Sequence, residues 1–238
     1  MEHDDYPVLE LRYFGWAVKD HTLRASGIAQ MLQAADAVLG GYRDAVSALM
    51  DAHAAMDAMR IRGGSCHIRL RLIGTRDALN TVLDEEARQS ALHELADDVQ
   101  RTLELVNARC MATGHPLPID EETATYEEST VTVRFTPNSE PMRTTLNAYR
   151  ASQRQDVVSA MGRMLGAGQE GIASASVSSH GVDAGAEGGV AVVTLPIARI
   201  DVFRDAQDQP KRIEALTEQR SLQIDTIQFS SDKWRFRD

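Results

Sequence analysis

The sequence predicts an α+β protein, in which a mixed or antiparallel sheet packs against long amphipathic helices. Two observations carry this prediction. Short segments with alternating apolar and polar residues, typical of strands, recur between long segments whose apolar residues repeat every three or four positions, typical of helices. Glycine and proline residues, which favour turns, separate several of these segments.

The first half of the chain alternates predicted strands and helices. The elements are a strand at 7–17, a helix at 26–59, a strand at 66–74, a helix at 77–111 and a strand at 129–136. Asp20 or Ser26 offers an N-cap for the first helix. Gly40 and Gly41 inside that helix predict a kink or a close contact with another helix.

The second half carries one further helix and a β-rich end. The elements are a helix at 140–165, a Gly/Ala/Ser-rich connector or hairpin at 166–189, a strand at 190–204, a strand or a helix and strand at 212–229, and a last strand containing Trp234 and Phe236. We expect an N-terminal α+β part, 1–137, and a C-terminal part, 138–238, in the same globular unit. Because the sequence stops two residues after Phe236, we expect the last strand to pair into an existing sheet or to be completed by a partner or a missing segment.

Composition limits the class of protein. With 238 residues and 43% apolar residues, the chain can bury a substantial core. The net charge of −10 argues against broad, nonspecific nucleic-acid binding, although a local basic groove stays open. The presence of only two cysteines and the acidic start of the sequence predict a reduced, cytoplasmic protein. Because no apolar run reaches about 18 residues, we expect no membrane span.

Charge is sorted into blocks along the chain. Residues 77–128 hold 13 acidic residues against three arginines, whereas 60–76 hold five arginines and no acid. In the 66–74 strand, alternation places His67, Arg69 and Arg71 on the side opposite the apolar residues, with Arg62 nearby. These four residues form a candidate surface for an anion, a nucleotide or RNA. The alternative, which we favour, is that the arginines pair with acids of the following helix, namely Glu85, Glu86, Glu94, Asp97 and Asp98.

Other motifs do not have the context that their chemistry needs. Residues 166–171 match G-x-G-x-x-G, but a predicted helix precedes them and a strand follows, which reverses the order of a dinucleotide site. Ser179, His180 and Asp183 are close in sequence, yet they fall in a loop without the rigid scaffold of a catalytic triad. The seven histidines show no metal-ligand spacing with cysteines or acids. We therefore predict no catalytic residue, no metal site and no cofactor.

Two stretches carry a resemblance. The opening, Tyr13-Phe14-Gly15 followed by Asp20-His21-Thr22-Leu23 and 28–32, resembles uncharacterised bacterial and prophage α+β proteins that begin with a strand, an Asp-His pair and a long helix. The ending, 227–236 with its Lys-Trp-Arg-Phe strand, is similar to theirs. The resemblance implies a mobile-element or phage-defence setting, and it implies no catalytic residues.

The sequence favours a non-catalytic function. Our first hypothesis is a subunit or adaptor of a bacterial assembly, with an antiviral defence system as its setting. It would bind other protein subunits or its own copies through surfaces including Trp234 and Phe236. The second is a nucleotide- or nucleic-acid-binding sensor that uses the basic segment 60–76, although a nucleic-acid partner is not favoured. The third is an enzyme in which Asp20 and His21 act as base and orienting group. An N-terminal capping pair is the preferred explanation of those two residues.

Overall fold

The structure, a computed structural model, describes residues 7–20, 22–46, 52–62, 64–74, 85–180, 192–204, 206, 223–228 and 233–237. Its helices are α1 (Trp16–Lys19), α2 (Ala25–Val46), α3 (Glu85–Thr113), α4 (Leu146–Ser152), α5 (Gln155–Met164) and α6 (Ile197–Arg204). Its strands are β1 (Val8–Phe14), β2 (Ala52–Arg62), β3 (Ser65–Gly74), β4 (Thr123–Glu127), β5 (Thr130–Arg134), β6 (Met142–Thr145), β7 (Ser174–His180), β8 (Val193–Pro196), β9 (Gln223–Gln228) and β10 (Lys233–Arg237). The predicted α+β class is confirmed.

The strands form antiparallel sheets of different size. The largest has the order β2-β3-β1-β7-β8, and each neighbouring pair in it is antiparallel. The chain therefore returns, after more than a hundred residues, to add β7 and β8 beside its first strand. A three-stranded sheet has the order β4-β5-β6, and β9 pairs with β10 in a separate two-stranded sheet.

One side of the five-stranded sheet carries the main core. The apolar residues of β1 and β3 that alternate inward are buried together with residues of α2, α3, α5 and α6. They meet across the strands, where Leu9 pairs with Leu70 and Leu11 pairs with Ile68. Burying each such side chain stabilises the fold by about 1.5–3 kcal/mol. We call the opposite side of this sheet the outer face; it carries Glu10, Arg12, Phe14, His67, Arg69 and Arg71.

The first predicted helix was too long. It ends at Val46, and Ala52–Arg62 forms β2 instead, so the prediction of helix over 52–59 is wrong. This segment is rich in alanine and methionine, which favour helices when considered alone. Antiparallel pairing with β3 along the whole length of β2 overrides that local preference.

The glycine pair in α2 marks a close contact between helices. A Cβ on Gly41 would lie 2.4 Å from Cγ2 of Val157 in α5, whereas a Cβ on Gly40 would meet nothing within 4 Å. Of the two expectations for this pair, the close contact is confirmed at Gly41. The absence of a side chain there allows α2 and α5 to approach each other.

Three further boundaries differ from the prediction. The expected helix at 140–165 begins as strand β6, because Met142–Thr145 pairs with β5. The rest of it is split into α4 and α5. The Thr145 hydroxyl caps α4 by accepting a hydrogen bond from the backbone N–H of Ala148. The expected strand at 190–204 ends at Pro196, and α6 follows it. Asp20 ends α1 and Ser26 lies inside α2, so neither residue is the N-cap that we expected.

A second core lies beneath the three-stranded sheet. Its buried residues are Leu105, Val131, Val133, Phe135 and Tyr149. Val131, Val133 and Phe135, the apolar residues of the strand predicted at 129–136, therefore face this smaller core. Leu105 belongs to α3, which also contributes Leu103 and Val106 to the main core.

Candidate functional site

The outer face gathers the basic residues that the sequence singled out. Ile68, Leu70 and Leu72 are fully buried on the inner side of β3, so His67, Arg69 and Arg71 project from the outer side. Arg69 is exposed, and the other two are half-buried. The predicted sidedness of these three residues is correct. Arg62 ends β2 opposite Ser65 of β3, and its side chain is not among those that the structure describes.

A hydrogen-bonded cluster forms around Glu10, the one carboxylate of β1. Its Oε1 lies 3.0 Å from Nδ1 of His67 and accepts a 3.0 Å hydrogen bond from Nε of Arg12. Nε2 of His67 lies 2.8 Å from the Ser65 hydroxyl. Both ring nitrogens of His67 therefore have partners, and the cluster fixes the ring orientation beside the neighbouring strand.

The arginines of β3 do not pair with the acidic helix in the part of the chain that the structure describes. Nη2 of Arg71 donates to Oδ1 of Asp57 in β2 at 2.6 Å, on the same side of the sheet. Of the acids expected as partners, Asp97 accepts from the Ser179 hydroxyl and Asp98 from the Thr145 hydroxyl. None of Glu94, Asp97 and Asp98, whose side chains are described, forms an ion pair with these arginines, because α3 packs against the inner side of the sheet, whereas the arginines project from the outer side. For Glu85 and Glu86 the favoured pairing stays a prediction. Glu85 and Glu86 begin α3, and nothing is described of their side chains.

Positive charge exceeds negative charge among the described side chains of the outer face. Arg60 is opposite His67, which is in turn opposite Arg12, so these three residues form a row across β2, β3 and β1. Adjacent strands lie about 4.8 Å apart, which brings the three basic groups close together. Among the described residues, neither Arg60 nor Arg69 makes an ion pair, and both are exposed.

This surplus contrasts with the charge of the whole chain. Among the described side chains of the outer face, four arginines, Arg12, Arg60, Arg69 and Arg71, are accompanied by two carboxylates, Glu10 and Asp57. The protein as a whole has a net charge of −10. A locally basic surface on an acidic protein attracts anions to that surface.

Two exposed aromatic side chains lie near the end of β1, and one of them, Phe14, belongs to the outer face. Phe14 follows Arg12 on the outer side of β1 and is 37% exposed, and Trp16 begins α1 and is 54% exposed. Sequence reasoning missed both residues. Period-two alternation along β1 was a signal for Phe14, since Glu10, Arg12 and Phe14 share one side of the strand.

The remaining candidate residues do not join the outer face. Asp20 ends α1, and His21 lies outside the described residues. Trp234 and Phe236 lie in β10 opposite Ile227 and Ile224 of β9, with a register shift between Arg235 and Phe236. Their side chains are not described, so the expected partner surface stays a prediction.

The glycine-rich motif is part of the packing between elements. Gly166, Gly168 and Gly171 all have positive φ, and the segment follows α5. A Cβ on Gly171 would lie 2.4 Å from Cβ of Ala17, so the loop lies directly against α1. The element that follows this loop is a strand, β7, which begins at Ser174. The order of elements expected from the sequence is thus observed, and it is unlike that of a dinucleotide site.

Metal-binding and membrane-spanning features are both absent from the part of the chain that the structure describes. There, no three His, Cys, Asp or Glu side chains are grouped so that they could hold a metal ion. None of the helices in the same part is both long enough and apolar enough to cross a membrane.

Comparison with protein-family models, with curated proteins and with solved structures gave no match for this chain. The resemblance of its opening and ending to bacterial and prophage proteins therefore stays a prediction.

Proposed function

We propose that this protein is a non-catalytic binding protein that holds single-stranded nucleic acid on the outer face of its five-stranded sheet. The observation that carries the proposal is the row of Arg60, His67 and Arg12 beside the exposed Arg69, on a side of the sheet that also presents Phe14. Guanidinium groups bind phosphates, and exposed aromatic rings stack on unpaired bases.

The geometry of the face suits an extended, flexible strand. The basic side chains come from three adjacent strands, so they form a surface over β2, β3 and β1. Towards β7, the outer-side residues Val8, Ser176 and Ser178 are buried, so the exposed part of the face is the part that carries Arg60 and Arg69. An open sheet with cations and an aromatic side chain is a known type of platform for single-stranded RNA or DNA. The net charge of −10 for the whole chain would repel nucleic acid elsewhere and restrict binding to this face.

The test is a binding titration of the full chain with fluorescently labelled oligothymidylate and oligouridylate, repeated at several salt concentrations. Replacing both Arg60 and Arg69 with Glu should weaken binding by at least about tenfold. The dependence of log K on log salt should fall by about 0.7 for each phosphate that the variant no longer neutralises. The substitution F14A should weaken binding by about 1–3 kcal/mol and leave the salt dependence unchanged.

The matched control is Arg24→Glu, which reverses the charge of an exposed arginine that precedes α2 and is not part of the sheet. Its binding should equal that of the unaltered protein. The proposal fails if neither oligonucleotide binds at low salt. It also fails if the control variant loses as much affinity as the double variant.

A second candidate function is that of a self-associating subunit. It is favoured by β2, an 11-residue strand at the edge of the sheet, on which Met56 and Met59 are both exposed. Among the described residues, the Asp36 carboxylate of α2 accepts a hydrogen bond from the backbone N–H of Ala54 near the start of this edge. Long open edges favour the addition of another strand.

Light scattering during size-exclusion chromatography tests this candidate. The unaltered chain should elute as an oligomer, and replacing Met56 and Met59 with Lys should give monomers, because charged side chains oppose edge pairing. A monomeric unaltered chain at high concentration would rule the candidate out.

A further inference from the structure

A histidine lies in the middle of the basic row of the outer face. His67 is opposite Arg12 of β1 and Arg60 of β2, and adjacent strands lie about 4.8 Å apart. Its side chain is 30% exposed, so water reaches the ring. Histidine is the one side chain whose unperturbed pKa lies between about 5 and about 8. The charge of the row can therefore change within that range, whereas the arginines stay charged.

The partners of the His67 ring suit both of its protonation states. Nδ1 lies 3.0 Å from Oε1 of Glu10, and Nε2 lies 2.8 Å from the Ser65 hydroxyl. A carboxylate accepts from a ring N–H in either state, and a hydroxyl can donate to a neutral ring or accept from a protonated one. Nε2 can therefore gain or lose a proton without the loss of either of these hydrogen bonds.

The charged groups described around the ring are one carboxylate and several basic groups. They are Glu10 and Arg12 of β1, Arg60 of β2, Arg69 of β3, and Lys19 of α1, which lies beside Gly64 in the turn before β3. β2 also ends at Arg62, opposite Ser65. Towards β7, Ser176 and Ser178 are opposite Arg12 and Glu10 and carry no charge. Because one carboxylate faces several cations, protonation of His67 raises an existing positive charge on the row.

We propose that His67 makes the binding of single-stranded nucleic acid by the outer face depend on pH, with the protonated ring increasing the affinity. This inference rests on the proposed function, because it names the regulation of the same surface. The ring acts through its charge, since both of its nitrogens already have partners in the cluster. A phosphate held by Arg12 or Arg60 would lie within the Debye length of about 10 Å in 0.1 M salt, so the added charge would attract it.

The test is a titration of the full chain with labelled oligothymidylate and oligouridylate at pH values from about 5.5 to about 8. Thymine, uracil and the phosphodiester group do not titrate in this range, so a change in affinity comes from the protein. In about 50 mM salt, the affinity should rise by about fivefold to tenfold from pH 8 to pH 5.5. The dependence of log K on log salt should grow by about 0.7, because one further phosphate is neutralised.

Two variants at the same position fix the charge in opposite ways. H67Q keeps a polar side chain without the titration, so at every pH it should bind as weakly as the unaltered protein does at pH 8. H67R carries a permanent positive charge, so at pH 8 it should bind about as tightly as the unaltered protein does at pH 5.5. The matched control is H115Q, which replaces an exposed histidine that follows α3 and should keep the full pH dependence.

The outcomes separate this inference from the proposed function. Equal affinity at both ends of the pH range, or a pH dependence that H67Q retains, would overturn the inference and leave the proposed function intact. If H67Q and H67R weaken binding equally at pH 8, the ring acts through its shape and the inference is wrong. If neither oligonucleotide binds at any pH, both the inference and the proposed function are overturned.

Discussion

The guanidinium of Arg109 is bound by the carboxylate of Glu122 through two hydrogen bonds, of 2.7 and 3.0 Å, and both side chains are buried. Nη1 of Arg109 also donates to the backbone carbonyls of Pro116 and Ser152, and Nη2 donates to the Ser152 hydroxyl. One side chain of α3 thereby holds the segment after α3 and the end of α4. A buried charge is tolerated here because each of its donor nitrogens has a partner.

Replacing Arg109 with Met should destabilise the protein by about 3–5 kcal/mol, because it leaves the buried carboxylate of Glu122 without a cation. Equilibrium unfolding in urea measures this change. The double variant R109M/E122L removes both charges and should recover much of the stability. A double variant as unstable as R109M would contradict this explanation.

The contact between α2 and α5 predicts opposite effects at two adjacent glycines. Gly41→Ala should cost about 1–3 kcal/mol, because the added methyl group would overlap Val157. Gly40→Ala should stabilise the helix by about 0.5–1 kcal/mol, since nothing lies within 4 Å of the added group. Urea unfolding of both variants is the measurement. Equal effects of the two substitutions would show that the helices do not meet at Gly41.

Stability should depend on pH through Asp98. Burial raises the pKa of this carboxyl above its usual value, although the hydrogen bonds from Thr145 and Asn147 oppose the rise. A raised folded-state pKa means that the folded protein holds the proton more tightly than the unfolded chain does. The stability that this proton supplies is complete below the unfolded-state pKa and is lost as the pH rises through the folded-state pKa.

The variant D98N lacks this titration. Its free energy of unfolding, relative to that of the unaltered protein, should increase as the pH rises from about 3 to about 7. Urea unfolding at several pH values gives this difference. A difference that is independent of pH, or that decreases with rising pH, would contradict the assignment.

Both thiols should be unreactive in the folded protein. Cys66 and Cys110 are buried, and burial raises the pKa of both thiols, that of Cys110 to about 11. Because the thiolate is the reactive form, Ellman's reagent at mildly alkaline pH should modify neither residue until the protein is unfolded. The two thiols should then react together in denaturant. Rapid modification of the native protein would show that one of them is accessible.

Sequence patterns predicted β1 and β3, in which apolar and polar residues alternate. The side chains that face the core are the apolar ones of that pattern. The pattern failed for β2, whose alanines and methionines favour a helix and whose strand form depends on pairing with β3. It also failed for Ile197–Arg204, which we expected to lie in the strand at 190–204 and which forms α6.

The sequence predicted which side of β3 carries the basic residues of the outer face, but it did not predict their partners. Alternation alone places Arg69 and Arg71 on one side of β3. The ion pair of Arg71 with Asp57 is not predictable from proximity in sequence. The acidic helix that follows β3 packs on the other side of the sheet. Asp57 comes from a segment that we expected to be helical.

The sharing of α3 between two cores has a consequence for folding. Since Leu103 and Val106 complete one core and Leu105 completes the other, melting of the small sheet would expose a helix on which the large sheet also depends. Amide protons in the middle of this helix should therefore exchange with solvent only when the whole domain opens, which makes the two sheets a single cooperative unit.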